Sequence, residues 1–337
     1  MGILHLNRFL IDNCKKSSIK KIKLQELANK TIAIDTSIYL YKYLSQNALV
    51  ENFYSMISLF RTYSIIPIFV FDGKPPPEKK DAIEERKMER ANAEQKYKRL
   101  EEEFKEKEAN LSAEEKKQYL QEIEELKTHC VRLKRSDIEL VKKLIQYYGA
   151  CYYESTGEAD EVCASLVLSG KAWACMSDDM DMFVYGSCRV LRHFSIVNKS
   201  VLYYDLPSIL DDLKMDMKIF REISVLSGTD YNIHSSTSLT ETIKWYEEYI
   251  KQPNKMEYAF YDWLVKYTKY ISDVKTLQKI YQMFCLKEED FEKIEITNIT
   301  LQEYNQNVLH DFLKDHGFVF PITNVFLYHL KPVFSYT

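Results

Sequence analysis

Residues 65–72 read IIPIFVFD, an unbroken apolar, β-prone run closed by an acid, with Gly73 directly behind it. The same design stands at 31-TIAIDT-36, closed by Asp35, and at 172-AWACMSDDMD-181, which ends in Asp178, Asp179 and Asp181. Apolar runs of this kind predict strands buried on both faces. The segments between them, such as 51-ENFYSMISLFRTY-63 and 136-SDIELVKKLIQYY-148, place apolar residues at helical spacing. Strands alternating with helices predict an α/β fold, a parallel sheet flanked by helices. Further strands are expected in 185-YGSCRVLRHFSI-196 and 199-KSVLYYDL-206, and a helix in 216-DMKIFREISVLSG-228. Each of the three leading strands delivers an acid to its C-terminal end, the edge of an open α/β sheet where ligands bind.

Composition sets the bounds. The 337 residues are 46% hydrophobic, ample for a core, and only eight are glycine, which excludes collagen-like and multi-bladed β architectures. No apolar stretch approaches the ~20 residues of a membrane span. The start, 1-MGILHLNRFLIDNCKK-16, has neither the apolar block nor the small-residue cleavage site of a signal peptide. Seven cysteines, an odd set without a C-x-x-C pair, predict reduced thiols in an intracellular protein of nucleus or cytoplasm, and no zinc site. The net charge of −4 provides no bulk positive field, so contact with nucleic acid must rest on local basic patches.

Residues 78–134 break the pattern with 16 Asp/Glu and 15 Lys/Arg in 57 residues, and no Gly or Pro occurs between Pro77 and Gly149. This composition favours helix, and Ser112 with Glu115 three residues on marks a fresh helix start. The segment predicts a charged helical hairpin rising six residues after Asp72, either a solvated insertion or an arch over the acidic edge. The chain then divides into 1–77 and 135–231, two parts of one α/β domain, the insertion 78–134, and a mainly helical, aromatic-rich region, 232–337.

Seven acids carry the chemistry: Asp35, Asp72, Glu158, Asp160, Asp179, Asp181 and Asp230. Glu158 and Asp160 open the helical pattern 157-GEADEVCASLVLSG-170, and Asp230 follows a helix in 227-SGTDY-231. Singly, each has a plain structural role. Asp35 can cap the next helix, Asp72–Gly73 can be a turn, and 178-DDMD-181 can be a solvated loop. Together, acids from separate segments at one edge repel and raise one another's pKa unless cations neutralise them. An all-oxygen donor set suits Mg2+, with Mn2+ able to substitute. Two such ions ~3.5–4 Å apart activate water and stabilise the leaving oxygen of a phosphodiester.

Met1-Gly2-Ile3, 32-IAIDTSIYLY-41, 67-PIFVFDGKPPPEK-79, 157-GEADEVCASL-166, 177-SDDMDMFVYGS-187 and 226-LSGTDY-231, in this order, resemble the XPG/flap-endonuclease family of structure-specific 5′ nucleases. The resemblance implies a PIN-like α/β fold and two Mg2+ ions held by the seven acids. It implies hydrolysis of DNA that carries a 5′ flap, a gap or a free 5′ end. Where the family's flap enzymes usually carry Glu, this chain has Asp160, which is common in the exonuclease branch. Lys79 and Arg86, matching the family's catalytic bases, lie seven residues apart and on a helix would share one face. There they can hold the scissile phosphate; the plain reading is two ordinary charges among fifteen. The family also implies a base-stacking ring at Tyr41, for which Tyr39 and Tyr43 compete, and a junction-packing role for Gly2. A phosphate contact by Arg192 and an ion pair within the fold stand as equal readings.

Two stretches depart from the family. Its glycine-rich hairpin, whose backbone amides and a monovalent cation grip duplex DNA, falls on 232-NIHSSTSLTETIKWY-246, and no glycine occurs between Gly228 and Gly317. Positions needing positive φ would fall on Thr237, Ser238 or Leu239, which puts the cation site in doubt. The hydroxyls of 235-SSTSLT-240 could instead cap a helix and meet phosphate. The sliding-clamp box of cellular members is matched only loosely by Gln306, Leu309, Phe312 and Leu313, which read as a helix of the body, so no clamp partner is expected. A viral or streamlined homologue, monomeric and working at a viral replication site if viral, fits these departures. The expectation is a Mg2+-dependent 5′ nuclease of replication, repair or recombination. The alternatives are a 5′ exonuclease or RNA-directed nuclease of the same fold, or an inactive nucleic-acid-binding scaffold.

Overall fold

The apolar runs assemble into one seven-stranded sheet in a computed structural model, which describes residues 3–108, 111–233, 235–252, 258–296 and 299–320. Its strands are β1 (Ile19–Lys23), β2 (Thr31–Asp35), β3 (Ile66–Phe71), β4 (Cys151–Glu154), β5 (Ala174–Met176), β6 (Arg189–Ser195) and β7 (Ser200–Asp205). They lie in the order β1-β7-β6-β5-β2-β3-β4. From β6 to β4 neighbours run parallel, whereas β7 and β1 are antiparallel. The sheet is therefore mixed, and the parallel sheet expected from the sequence is its five-stranded part.

Strand geometry sends alternate side chains to opposite faces, and β2 and β3 bury both. Ile32, Ile34, Phe69 and Phe71 pack with Phe53, Phe60 and Leu144 on one side. Ala33, Ile68 and Val70 pack with Cys163, Leu166 and Phe183 on the other. The first side is covered by α2 (Thr36–Ser45), α3 (Leu49–Thr62), α6 (Arg135–Tyr147) and α15 (Gln306–Asp315). The second is covered by α1 (Leu6–Asn13), α7 (Ala159–Leu168), α8 (Asp181–Tyr185), α9 (Leu206–Leu213) and α10 (Met217–Leu226). Beyond them lie α11 (Leu239–Lys251), α12 (Phe260–Tyr267), α13 (Val274–Met283) and α14 (Glu288–Glu292).

The charged segment forms a hairpin of α4 (Lys80–Lys107) and α5 (Ala113–His129). Ser112 Oγ accepts from the Glu115 N–H, while the Glu115 carboxylate accepts from the Ser112 N–H at 2.8 Å, which starts α5. Each helix buries a single side chain, Ala82 in α4 and Ile123 in α5. Phe104 against Tyr119 (5.8 Å) and the Arg132–Glu94 ion pair (2.6 Å) hold them together.

Residues 299–320 cross back over the first helical layer as a strap. The Gln302 N–H donates to Gly149 O (2.8 Å), and Arg61 Nη1 donates to Tyr148 O (3.0 Å) and Gln302 O (3.1 Å). Gly149 has φ +68° and a Cβ there would lie 2.4 Å from Gln302 O, so the crossing requires glycine. α15 then buries Leu309 and Leu313, with Phe312 edge-on to Tyr147 at 5.4 Å. Among the described residues no helix is long and apolar enough to cross a membrane.

Candidate active site

Asp35 ends β2 in register with Val70 of β3, so Asp35 and Asp72 emerge at the same edge of the sheet. Asp35 does cap α2, accepting from the Ser37 N–H (3.2 Å), and its second oxygen accepts from Ser177 Oγ (2.9 Å). Ser177 Oγ also accepts from the Asp179 N–H (3.0 Å), and Asp179 Oδ1 accepts from the Asp181 N–H (3.1 Å). The third acidic segment is thus pinned to the first. Asp72 accepts from the Ser37 hydroxyl and from the Ala159 N–H (2.7 Å), which draws in the start of α7. Gly73 completes that junction. Its N–H donates to Gly157 O (2.7 Å), and a Cβ at this position would lie 2.1 Å from Ser155 O. The Asp72–Gly73 pair is therefore the site of a close backbone approach rather than an ordinary turn.

Lys79 lies in a 3-10 turn, Pro77–Lys79, just before α4, and Arg86 lies on α4 itself. They do not share one α-helix, yet both converge on Asp230. Lys79 Nζ stands 3.2 Å and Arg86 Nη2 2.6 Å from Asp230 Oδ2, and Lys79 also pairs with Glu158. Glu158 accepts a further bond from Tyr231 Oη (2.6 Å), and the Tyr185 hydroxyl stands 3.5 Å behind. A cavity of about 790 Å³ opens beneath α4 and α5, lined by six of the seven acids and by Lys79, Arg86 and Tyr41. Asp181 is the exception, buried at 4% exposure. The arch adds Arg90, Lys96 and His129 to the lining. Of the three competing tyrosines, Tyr39 and Tyr43 are core residues and Tyr41 is 42% exposed.

The electrostatics match a site that wants cations. Burial, then the charges of Asp72 and Asp179, push Asp35 up to about 7. Burial, then Asp35 and Asp179, raise Asp160 well above the carboxylate range, and burial, then Asp179, does the same for Asp181. Burial also opposes ionisation of Asp230, but Lys79 and Arg86 hold its carboxyl below the usual range. Asp160 Oδ1 and Asp181 Oδ1 are buried without any hydrogen-bond partner. Orphaned carboxylate oxygens in an all-oxygen cluster fit a hard divalent ion. As they stand, no three acidic, histidine or cysteine side chains among the described residues form a closed coordinating group.

Residues 1–93, which reach into α4, match the XPG N-terminal domain, and residues 149–230 match the XPG I-region. The chain belongs to the XPG/flap-endonuclease family. Flap endonuclease 1 of Leishmania braziliensis is 32% identical over 253 residues, which are 68% of this chain and 60% of that protein. The chain thus spans less than two thirds of that relative's length. The catalytic core of Rad2, solved in complex with DNA substrate, is 21% identical with a TM-score of 0.64 over 93% of this chain and 95% of that one. GEN-1, a eukaryotic junction-resolving enzyme solved binding potassium, is 18% identical with a TM-score of 0.57 over 93% of this chain and 73% of that one. The PIN-like fold is shared with these structures.

Of the two other expected contacts, only Arg192 can be placed. Gly2 lies outside the described residues. Arg192 is 5% exposed, and its guanidinium donates to Asn7 Oδ1 (2.5 Å) and to Asp178 O (2.8 Å). It is buried rather than open to phosphate, and among the described residues it forms no ion pair; it ties α1 to the loop of Asp179. Ser37, Ser177, Tyr231 and Asn7 were not singled out by the sequence. The first three adjoin the acids in sequence, which is a usable signal, whereas Asn7 has none.

Proposed function

We propose that this chain is a divalent-metal-dependent, structure-specific 5′ nuclease that hydrolyses DNA phosphodiesters as a monomer. The observation that carries the reading is the convergence, under a charged helical arch, of acids from five chain segments with Lys79 and Arg86. Asp35, Asp72, Glu158, Asp160, Asp179, Asp181 and Asp230 would hold two Mg2+ ions, with Mn2+ as substitute. Such ions supply an activated water and stabilise the leaving oxygen. The chain's own groups do the rest. Lys79 and Arg86, now held by Glu158 and Asp230, are placed to take the scissile phosphate and the charge that develops on it. Tyr41 offers an exposed ring at the cavity wall for a base near the cut. Arg90, Lys96 and His129 line the passage for a 5′ single strand. Leu309 and Leu313 are spent on the body's core, so we propose no clamp-binding role for this stretch.

The test is a panel of end-labelled flap, gapped, nicked, blunt and RNA substrates with and without Mg2+, for the parent and Asp179→Ala. The expected result is Mg2+-dependent cleavage of a 5′ flap that Asp179→Ala abolishes while the circular dichroism spectrum is unchanged. Preference for a blunt or nicked end would make it an exonuclease, and cleavage of RNA alone would change the substrate. Equal turnover by the variant would refute the reading.

A further inference from the structure

The turn joining α10 to α11 closes itself with side chains. Ser227 Oγ donates to Ile223 O (2.6 Å), Asn232 Nδ2 donates to Val225 O (2.9 Å), and the Thr237 hydroxyl donates to Leu226 O. These are carbonyls of the last turn of α10; Ile223 O and Val225 O also accept from the Ser227 N–H (3.0 Å) and the Gly228 N–H (3.3 Å), so the side chains add a second bond to them. On the far side of the turn, Tyr270 Oη donates to Ser238 O (3.2 Å) and accepts from the Ser238 N–H (3.2 Å), and Thr242 Oγ1 stands 3.0 Å from it. A monovalent cation in a turn is held by carbonyl oxygens that converge on one point, replacing its water shell. Among the described residues, four carbonyls at the two ends of this turn, Ile223 O, Val225 O, Leu226 O and Ser238 O, already accept hydrogen bonds from Ser227, Asn232, Thr237 and Tyr270. The sequence between Gly228 and Gly317 also lacks the glycine that lets backbone fold inward without steric cost.

We infer that this chain needs no monovalent cation at the α10–α11 turn, and that Thr237, Asn232 and Tyr270 are the positioning residues that take its place. They set the distance between the end of α10, next to Asp230, and the start of α11, where Ser238 caps the helix by accepting from the Glu241 N–H (3.4 Å). The inference rests on the nuclease reading only where it concerns DNA.

The experiment uses the full chain and a nicked duplex with a 5′ flap, in EDTA, with KCl, NaCl or LiCl at equal ionic strength. Fluorescence anisotropy gives Kd, and melting without DNA is recorded in the same salts. Affinities within about two-fold across the salts and equal melting temperatures are expected; tightening by about five-fold or more in potassium, or a potassium-specific rise in melting, overturns the inference. Absence of binding in every salt would count against the nuclease reading, and the melting arm would still decide the cation. Thr237→Val should weaken binding about three- to ten-fold with no rescue by potassium, and Thr237→Ser should restore it. Parent-like binding by Thr237→Val also overturns the inference.

Discussion

Gly73→Ala is the substitution that most directly strains the acidic centre without touching an acid. A Cβ at residue 73 would stand 2.1 Å from Ser155 O and 2.7 Å from Thr156 C and O, all of them backbone. Ordinary contact needs about 3.4 Å or more, so the 155–158 loop or the end of β3 must shift by roughly 1 Å. That shift acts on the Gly73 N–H to Gly157 O bond (2.7 Å), the Lys74 N–H to Thr156 O bond (3.2 Å) and the Ala159 N–H to Asp72 bond (2.7 Å). Overpacking costs about 1–3 kcal/mol and each of the three weakened bonds about 0.5–1.5 kcal/mol, for a total of about 2.5–7.5 kcal/mol. At about 1.4 °C per kcal/mol for a chain of this size the melting temperature should fall by roughly 3–11 °C. Glu158 and Asp72 would also separate, and a displacement of this size is expected to lower flap cleavage on the order of 100-fold even at temperatures where the variant is folded. Differential scanning calorimetry and single-turnover cleavage read the two effects. A variant that melts within about 2 °C of the parent and cleaves at its rate would show that the close approach at Gly73 has no role.

Other outcomes follow from single features. Arg192→Leu should lower the melting temperature but leave the slope of log Kd against log salt unchanged, whereas loss of a phosphate contact would reduce that slope by about 0.9. Mg2+ should raise the melting temperature, because it relieves the crowded charges of Asp35, Asp160 and Asp181. Asp160→Asn should raise the melting temperature in EDTA and shrink the gain from Mg2+, and calorimetry showing no uptake of Mg2+ or Mn2+ by the parent would end the metal reading. Glu222 is buried with Oε2 unpartnered, and burial pushes its pKa from 4.5 up to about 7. Its folded pKa is raised, so the stability it contributes is present below pH about 4.5 and is lost as pH climbs through about 7, a swing of about 3 kcal/mol. Glu222→Gln should flatten that part of the denaturation midpoint's pH dependence; an unchanged difference curve would place the titration elsewhere.

The strands that carry acids were legible because they are apolar throughout and end in a charge, as in 31-TIAIDT-36 and 65-IIPIFVFD-72. β1 was not: it reads IKKIK, and its lysines face solvent along a sheet edge while only Ile22 is buried. β4, CYYE, is four residues long and none is fully buried, so it has neither length nor pattern. The arch declared itself by composition. Its root did not, because Pro77 opens a 3-10 turn that takes Lys79 off the helix while still delivering its amine to Asp230. The acids could be named from sequence because each sits where a strand or helix begins or ends. What orients them could not, since Ser177 reaches Asp35 across 142 positions and Arg192 reaches Asn7 across 185. Pairings at that separation depend on the packed fold rather than on any local pattern.

The strap bears on the order in which the protein can be made. Tyr148, Arg61 and the apolar side of α6 are synthesised early, but their cover, Gln302 to Leu313, emerges from the ribosome some 150 residues later than Gly149. Until then a greasy flank stays bare on a nascent chain whose catalytic half is otherwise assembled. Completion of this fold thus waits on the strap, and a pause in translation within that interval leaves a sticky half-product for chaperones to shield.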